Sequence, residues 1–359
     1  MKHYKRSLAM FLAVLMLSTL CPTTLAAAED VSQPAFASNV FCPVDTIADI
    51  ATENCKTIET DQALDTAITI AEETMSKDDF FEYFSSLPGT STQNEYDVFL
   101  EEQSNAIARI HDGTAQPGDE ELASFDYRKY YYDLKELNED ELEYMGYDQK
   151  RIDIIKNFQG SEDEIRRASA DVSGTVLIIH SQISANIVTT RVRYRFYIDG
   201  VFAKKMTDSV CLGNANDFVY NDDKTTASCS LVYLAGNGTQ EISKDVTPRI
   251  APGTSYGTVI VPFDYTIYKP YGPSDAYPHY IKSGSVYVTF ENNNGSRQAV
   301  FCGQYKHLTK SYSASDIIAA GINLIFGNYS ATLINIVDFI LKIQTNAESY
   351  GPHEALMTV

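Results

Sequence analysis

The chain has no tryptophan, so the ring on which sugars stack most strongly is missing and any aromatic recognition surface has to come from tyrosine and phenylalanine. Basic residues are scarce: 28 Lys and Arg stand against 48 Asp and Glu, a formal net charge of −20. That balance argues against a nucleic-acid binder, whose affinity rests on phosphate neutralisation by Lys and Arg. The histidines number 6 and none stands in an H-E-x-x-H, which argues against a zincin. His111, His180, His279 and His307 are scattered along the sequence. Cysteines never occur as C-x-x-C, so a zinc site is disfavoured, and no cofactor or metal is expected. Also lacking is an uninterrupted apolar run of the roughly 20 residues that a helix needs to cross a bilayer.

What is present begins with a leader. Lys2, Lys5 and Arg6 precede an apolar stretch from Leu8 to Leu20, with Ala26, Ala27 and Ala28 after it. This is the pattern of a Sec-type signal peptide over residues 1–28, and it implies a secreted, extracellular protein. Charge is then distributed unevenly. Residues 29–170 hold 33 acidic and 11 basic side chains, a net of −22, whereas residues 171–359 hold 15 and 14, a net of −1. The hydrophobic period changes at the same place, from the helical 3.6 to the strand value of 2. A boundary near Ala170 follows.

The stretch from Asn138 to Ala170 carries the clearest local signals. Asn138 with Glu141, and Ser161 with Glu164, suit capping boxes, in which side chains satisfy the orphan backbone donors of a helix start. Gly146 and Gly160 are placed to end helices, and Asp148 to cap the one between them. Three short helices with tight joints are predicted. The phrase ELEYMGYDQKRIDIIKNFQGSEDE resembles a segment of uncharacterised secreted proteins of Gram-positive bacteria. That resemblance implies helices preceding a β-rich C-terminal part, and no catalytic residue.

Upstream, apolar residues recur at helical spacing between Val44 and Met75, Ser76 with Asp79 caps a turn bearing Phe80, Phe81 and Phe84, and a further helix is predicted from Asn94 to His111. Tyr127, Tyr130, Tyr131 and Tyr132 are expected to pack on the fold. Downstream, Val192, Tyr194, Phe196 and Ile198 alternate with Arg191, Arg193 and Arg195, as in a strand with one buried face. Asp199-Gly200 reads as a hairpin turn. Further strands are predicted over 208–212, 227–235, 257–267, 284–290 and 298–305. The fold class is therefore α+β: an N-terminal helical bundle, then an antiparallel β-sandwich, with a helix over 331–343 closing it. In domain terms this gives an acidic helical domain over 29–121, a connector over 122–170, a β-sandwich over 171–312, and an apolar segment with a tail over 313–359. Leu333, Val337, Ile340 and Leu341 are expected inside the soluble fold rather than in a membrane. Gly327-Asn328 splits the segment, and Asp338 in hydrocarbon would cost about 2.5–3.5 kcal/mol.

Export favours disulfides. Cys42 with Cys55 is the first expected pair, worth about 3 kcal/mol on a chain-entropy argument. Cys211 with Cys229 is the second, with Cys302 left over, and a Cys229–Cys302 pairing stays open. Gly253-Thr254-Ser255-Tyr256-Gly257 matches the nucleophile-elbow pattern, but β-like sequence follows it where a helix is required. Asp217, Asp222 and Asp223 lack EF-hand spacing and read as a solvated turn. The arginine row is expected to pair with carboxylates or meet solvent. The most function-like piece is the proline-stiffened stretch from Tyr268 to Gly284, read as a long loop that binds through Tyr268, Tyr271, Tyr277, His279 and Tyr280. The function expected from all this is a secreted, non-enzymatic recognition or surface protein for an extracellular glycan or protein. A secreted hydrolase using His180 or His279 with Asp264 is the alternative, and a membrane-active protein the third reading.

Overall fold

The computed structural model describes residues 56–58, 61–115, 118–203, 207–214, 218–220, 227–236, 238, 240–246, 248–250, 259–270, 276–293, 298–308 and 347–358. All of them belong to one structural unit, Val44–Val359. The leader, Cys42 and Cys55, the Gly253–Gly257 motif, the three aspartates at 217, 222 and 223, Tyr271, and the apolar segment with Leu333, Val337, Ile340 and Leu341 lie outside the described residues.

Among the described residues, helices and antiparallel sheets are segregated along the chain in an α+β arrangement, the helices within 62–168 and all but two short strands after them. A short strand β1 (Lys56–Ile58) precedes α1 (Gln62–Thr74) and α2 (Lys77–Ser85). Strand β2 (Ser91–Asn94) leads into α3 (Glu95–His111), and α4 (Asp119–Ser124), α5 (Tyr127–Lys135), α6 (Glu139–Tyr144), α7 (Gln149–Lys156) and α8 (Glu162–Ala168) follow. The local signals are realised at the helix starts. Ser76, Asp148 and both capping boxes accept backbone N–H groups as their spacing predicts, and Asn94 does the same at the start of α3. The expected boundary at residue 121 falls inside α4, whose Asp119 is buried and paired with Arg109 at 2.6 Å.

The strands are β3 (Asp171–Ser184), β4 (Ile187–Asp199), β5 (Thr207–Asn214), β6 (Val219–Tyr220), β7 (Ser228–Ala235), β8 (Glu241–Val246), β9 (Arg249–Ile250), β10 (Val259–Asp264), β11 (Thr266–Pro270), β12 (Ala276–Asn292), β13 (Gln298–Leu308) and β14 (Ala347–Thr358). They form two antiparallel sheets. The larger runs β1-β3-β4-β12-β7-β8, with β2 on β3 and β6 and β11 on β12; the smaller runs β14-β13-β5-β10-β9. Val192, Tyr194, Phe196 and Ile198 of β4 share one buried core with Val210, Leu212, Val261, Phe301 and Tyr305 of the smaller sheet. On the opposite face of β4, Arg193 and Arg195 bind Asp65 of α1 at 3.0 and 2.8 Å, and Arg191 lies over the Tyr287 ring at 5.3 Å. The arginine row is thus used for docking α1 and for a cation–π contact.

Four expectations are corrected. Asp199-Gly200 makes no hairpin: β4 ends there and β5 lies in the other sheet. The stretch from Tyr268 to Gly284 is not a long loop, because β11 and β12 pair directly, Tyr268 opposite Pro278 and Lys269 opposite Tyr277. Residues after Gln344 are not merely a tail; β14 pairs with β13 along Ala347–Thr358 and contributes Tyr350 and Met357 to the core. Finally, Cys211 and Cys229 are free, buried thiols and not a bridge, and a free Cys229 removes the Cys229–Cys302 pairing as well. Burial pushes both thiols up to about 12, which keeps them protonated and unreactive.

His353 of β14 gives the fold an acid-sensitive point. Its ring fills the space that the absent Cβ of Gly174 leaves open, and it is 3% exposed, with Nε2 3.3 Å from the Ser91 carbonyl oxygen and Nδ1 3.3 Å from the Tyr194 hydroxyl. Burial pushes its pKa down to about 4. The unfolded chain, titrating near 6.5, binds the proton first as pH falls, so stability present above pH 6.5 is lost between there and pH 4. The expected loss is about 3 kcal/mol. Denaturant midpoints measured across that range check it, with His353→Gln removing this share of the slope.

Candidate functional site

A cleft of about 480 Å³ opens where five parts of the chain meet. Its walls are the α1–α2 corner, with Met75, Phe80 and Phe81, and the α6–α7 turn. The end of β4 with Tyr197 and Asp199, the end of β7, and the middle of β12 complete it. Such a volume lies in the range of small-molecule sites.

The turn between α6 and α7 is fitted to the sheet by two glycines. Gly146, at φ +96°, adopts a left-handed conformation that ends α6, and a Cβ on it would lie 2.5 Å from the Tyr280 ring. Tyr280 therefore seats against the turn, its hydroxyl donating to the Tyr144 carbonyl at 3.0 Å. At the end of β7, a Cβ on Gly236 would lie 2.5 Å from the Glu143 carbonyl oxygen, a backbone atom with nowhere to go.

Two cations hold the Asp199-Gly200 corner at the edge of the cleft: Lys282, which lines it, and Arg151, which lies outside its lining. Arg151, 4% exposed, pairs with Asp199 at 2.9 Å and with Asp148 at 2.5 Å. Burial raises the Asp199 carboxyl, but the Arg151 guanidinium more than offsets it, and Asp199 stays below the usual carboxylate range. Lys282 donates from Nζ to the Gly200 carbonyl. Burial, reinforced by Arg151, pushes its ammonium down to about 8. Around the rim stand Glu72, Asp78, Glu143 and Glu241, with Lys77 bridged to Glu241 at 3.4 Å. The arrangement offers the half-buried Phe81, carboxylate acceptors and two amines, Lys77 and Lys282, in a single concave surface.

Of the residues expected to bind, Tyr280 lines this cleft. His279 is 0% exposed, with Nε2 3.3 Å from Gln240 Oε1. Tyr268 and Tyr277 lie on the paired strands β11 and β12. For the hydrolase alternative, His180 is half-buried on β3 opposite Arg191, and Asp264 is exposed at the end of β10. Another titratable cluster, His307 with Asp208 at 2.7 Å and Tyr305 donating to the same carboxylate, is enclosed in the core with Phe202 stacked on the imidazole at 4.1 Å. Among the described residues no group of three or more His, Cys, Asp and Glu is placed to hold a metal ion, and no helix is long and apolar enough to cross a membrane.

Sequence reasoning missed Lys282, Arg151 and Asp199. In β12, Val286, Val288 and Phe290 point into the core, and strict alternation would place Lys282 beside them. A register shift between Ile281 and Ser283 against β7 turns the lysine away. Ile281, 0% exposed, takes a core position in its stead. A lysine in phase with Val286, Val288 and Phe290, on the apolar face of the strand, was the available signal.

No family model matches the sequence, and no curated protein sequence does. Among solved structures, the chain is similar to the Clostridium perfringens delta-toxin at 8% identity, over 39% of this chain and 74% of that one, with a TM-score of 0.21. It is similar to a pore forming protein at 8% identity, over 38% and 73%, with a TM-score of 0.19. The membrane-inserted form of the Clostridium perfringens NetB toxin gives 10% identity over 38% and 78%, with a TM-score of 0.14. At these scores the similarities carry no argument about fold or function.

Proposed function

We propose that the chain is a secreted, non-enzymatic recognition protein that binds an extracellular glycan in the cleft between the helices and β12. The observation that carries this reading is the cleft itself: about 480 Å³, with the half-buried Phe81 and the exposed Met75 beside a rim of carboxylates. Aromatic faces stack on the apolar faces of sugar rings, and carboxylates accept from hydroxyls. A concave site of this size suits a short saccharide better than a broad protein face. In the same reading the two sheets, which share one core, are the layers of a β-sandwich. Helices α3 to α8 share another and make the helical layer beside it, so in this reading the bundle takes in the 122–170 connector, whereas α1 and α2 pack on Leu177, Ile179 and Tyr197 of the larger sheet. The signal-peptide pattern supports an extracellular setting.

Glycan-array screening of the chain without residues 1–28 tests the proposal, with a protein array run beside it. Met75, 43% exposed on the rim, gives a variant that spares the core. Binding of a saccharide, weakened tenfold or more by Met75→Asp, is the expected result. Binding of proteins only, or a hydrolytic activity without saccharide binding, would overturn it.

A further inference from the structure

We propose that Lys282 is a nucleophilic amine that condenses with the carbonyl carbon of an aldehyde or ketone ligand in the cleft. The inference rests on the cleft as a ligand site and adds the ligand's chemistry; the open-chain end of a reducing saccharide belongs to this class.

The placement of Lys282 carries it. Lys282 stands at a β-bulge, where β12 opposes β7 out of register between Ile281 and Ser283, and bulges re-aim side chains beside functional sites. At the same residue β12 changes neighbours on its other edge: Ala276–Tyr280 pair with β11, and Ser283–Asn292 with β4. The side chain is delivered to the cleft wall, half-buried and within reach of a small ligand. Arg151 of α7 and Lys77 of α2 oppose its charge, while Asp199 of β4 and Asp148, the N-cap of α7, favour it. Both carboxylates are already paired with Arg151. Burial and neighbouring cations activate amine nucleophiles in this way. With a pKa of about 8, about half the amine is neutral at pH 8, where an ordinary lysine is more than 99% charged.

The step balances without a further reactant. The Lys282 ammonium releases a proton to solvent, and its nitrogen lone pair attacks the carbonyl carbon to give a carbinolamine. Loss of water then leaves the imine. Cyanoborohydride supplies the hydride that fixes it as a secondary amine for detection.

Glyceraldehyde, a small hydroxylated aldehyde, is the probe. The full mature chain is treated with limiting glyceraldehyde and cyanoborohydride between pH 6 and 10, digested, and mapped by mass spectrometry. Lys282 is expected to be labelled at least tenfold faster than the exposed Lys150 and Lys244, with a rate that rises through about pH 8. Lys282→Arg should remove that adduct alone; should the variant misfold, the wild-type map decides. Labelling no faster than at Lys150, or a rise only near the pKa of a free lysine, overturns the inference. Glycans without a free carbonyl test recognition separately: their binding beside an inert Lys282 would sink the amine chemistry and leave the recognition reading standing.

Discussion

Glu95→Ala is expected to lower the stability of the fold by about 4 kcal/mol, from two stranded backbone donors at about 1–3 kcal/mol each together with a lost tyrosine hydrogen bond. Glu95 is 1% exposed and receives three donors from different parts of the chain. Tyr127 of α5 donates its hydroxyl at 2.8 Å, and the N–H groups of Ala203 and Ala170 donate at 2.7 and 3.0 Å. One carboxylate thus ties α3 to α5, to the end of α8, and to the crossing between the two sheets. Burial raises the Glu95 carboxyl above its usual range, a sign that the site is enclosed and that its donors have no solvent to turn to. Glu95→Gln, which keeps one acceptor, should lose less than Ala. Denaturant unfolding with tyrosine fluorescence measures both, and a loss below about 1 kcal/mol for Ala would show that water replaces the carboxylate.

Arg195→Ala should cost about 3–5 kcal/mol, the range for removing one partner of a buried ion pair. The guanidinium, 2% exposed, binds Asp65 at 2.8 Å and Glu72 at 3.3 Å, and donates to Thr69 at 2.6 Å and Tyr197 at 3.3 Å. These residues span two turns of α1 and one position of β4, so the loss is local to the docking of that helix. Hydrogen exchange should therefore rise over Gln62–Thr74 before it rises in β4. A double-mutant cycle with Asp65→Ala should give a coupling above about 1 kcal/mol, as groups in one network do. Because Glu72 and Met75 lead from α1 into the cleft, the same variant should weaken ligand binding. Uniform exchange along the chain would contradict this account of the arginine row.

The parts of this fold that were legible in the sequence are those whose cause is local. A capping box is complete within four residues, and Asn138 with Glu141 needs nothing from the rest of the chain. The alternation in β4 is similarly self-contained, since one face has to be buried whichever sheet covers it. β14 was illegible because its sequence carries Gly351 and Pro352, and its partner β13 ends at Leu308, far back along the chain. β1 and β2 are short edge strands embedded in helical sequence, and only their pairing with β3 makes them strands. The cleft is harder still. Its walls come from five separate stretches, and the Lys282 side chain in one wall owes its direction to a bulge that exists only when β12 meets β7. Tyr280 was chosen for its place in a tyrosine-rich loop, whereas its role follows from Gly146 across the fold.

The cleft as a ligand site is the central claim, and lysine protection tests it most directly. A saccharide selected on the array is added to the chain at saturation, and acetylation rates are mapped at Lys77, Lys282 and Lys150. Lys77 and Lys282 line the cleft, while Lys150 is exposed outside it. The account predicts slower acetylation at Lys77 and Lys282 with no change at Lys150. Protection elsewhere with both cleft lysines unaltered would contradict it.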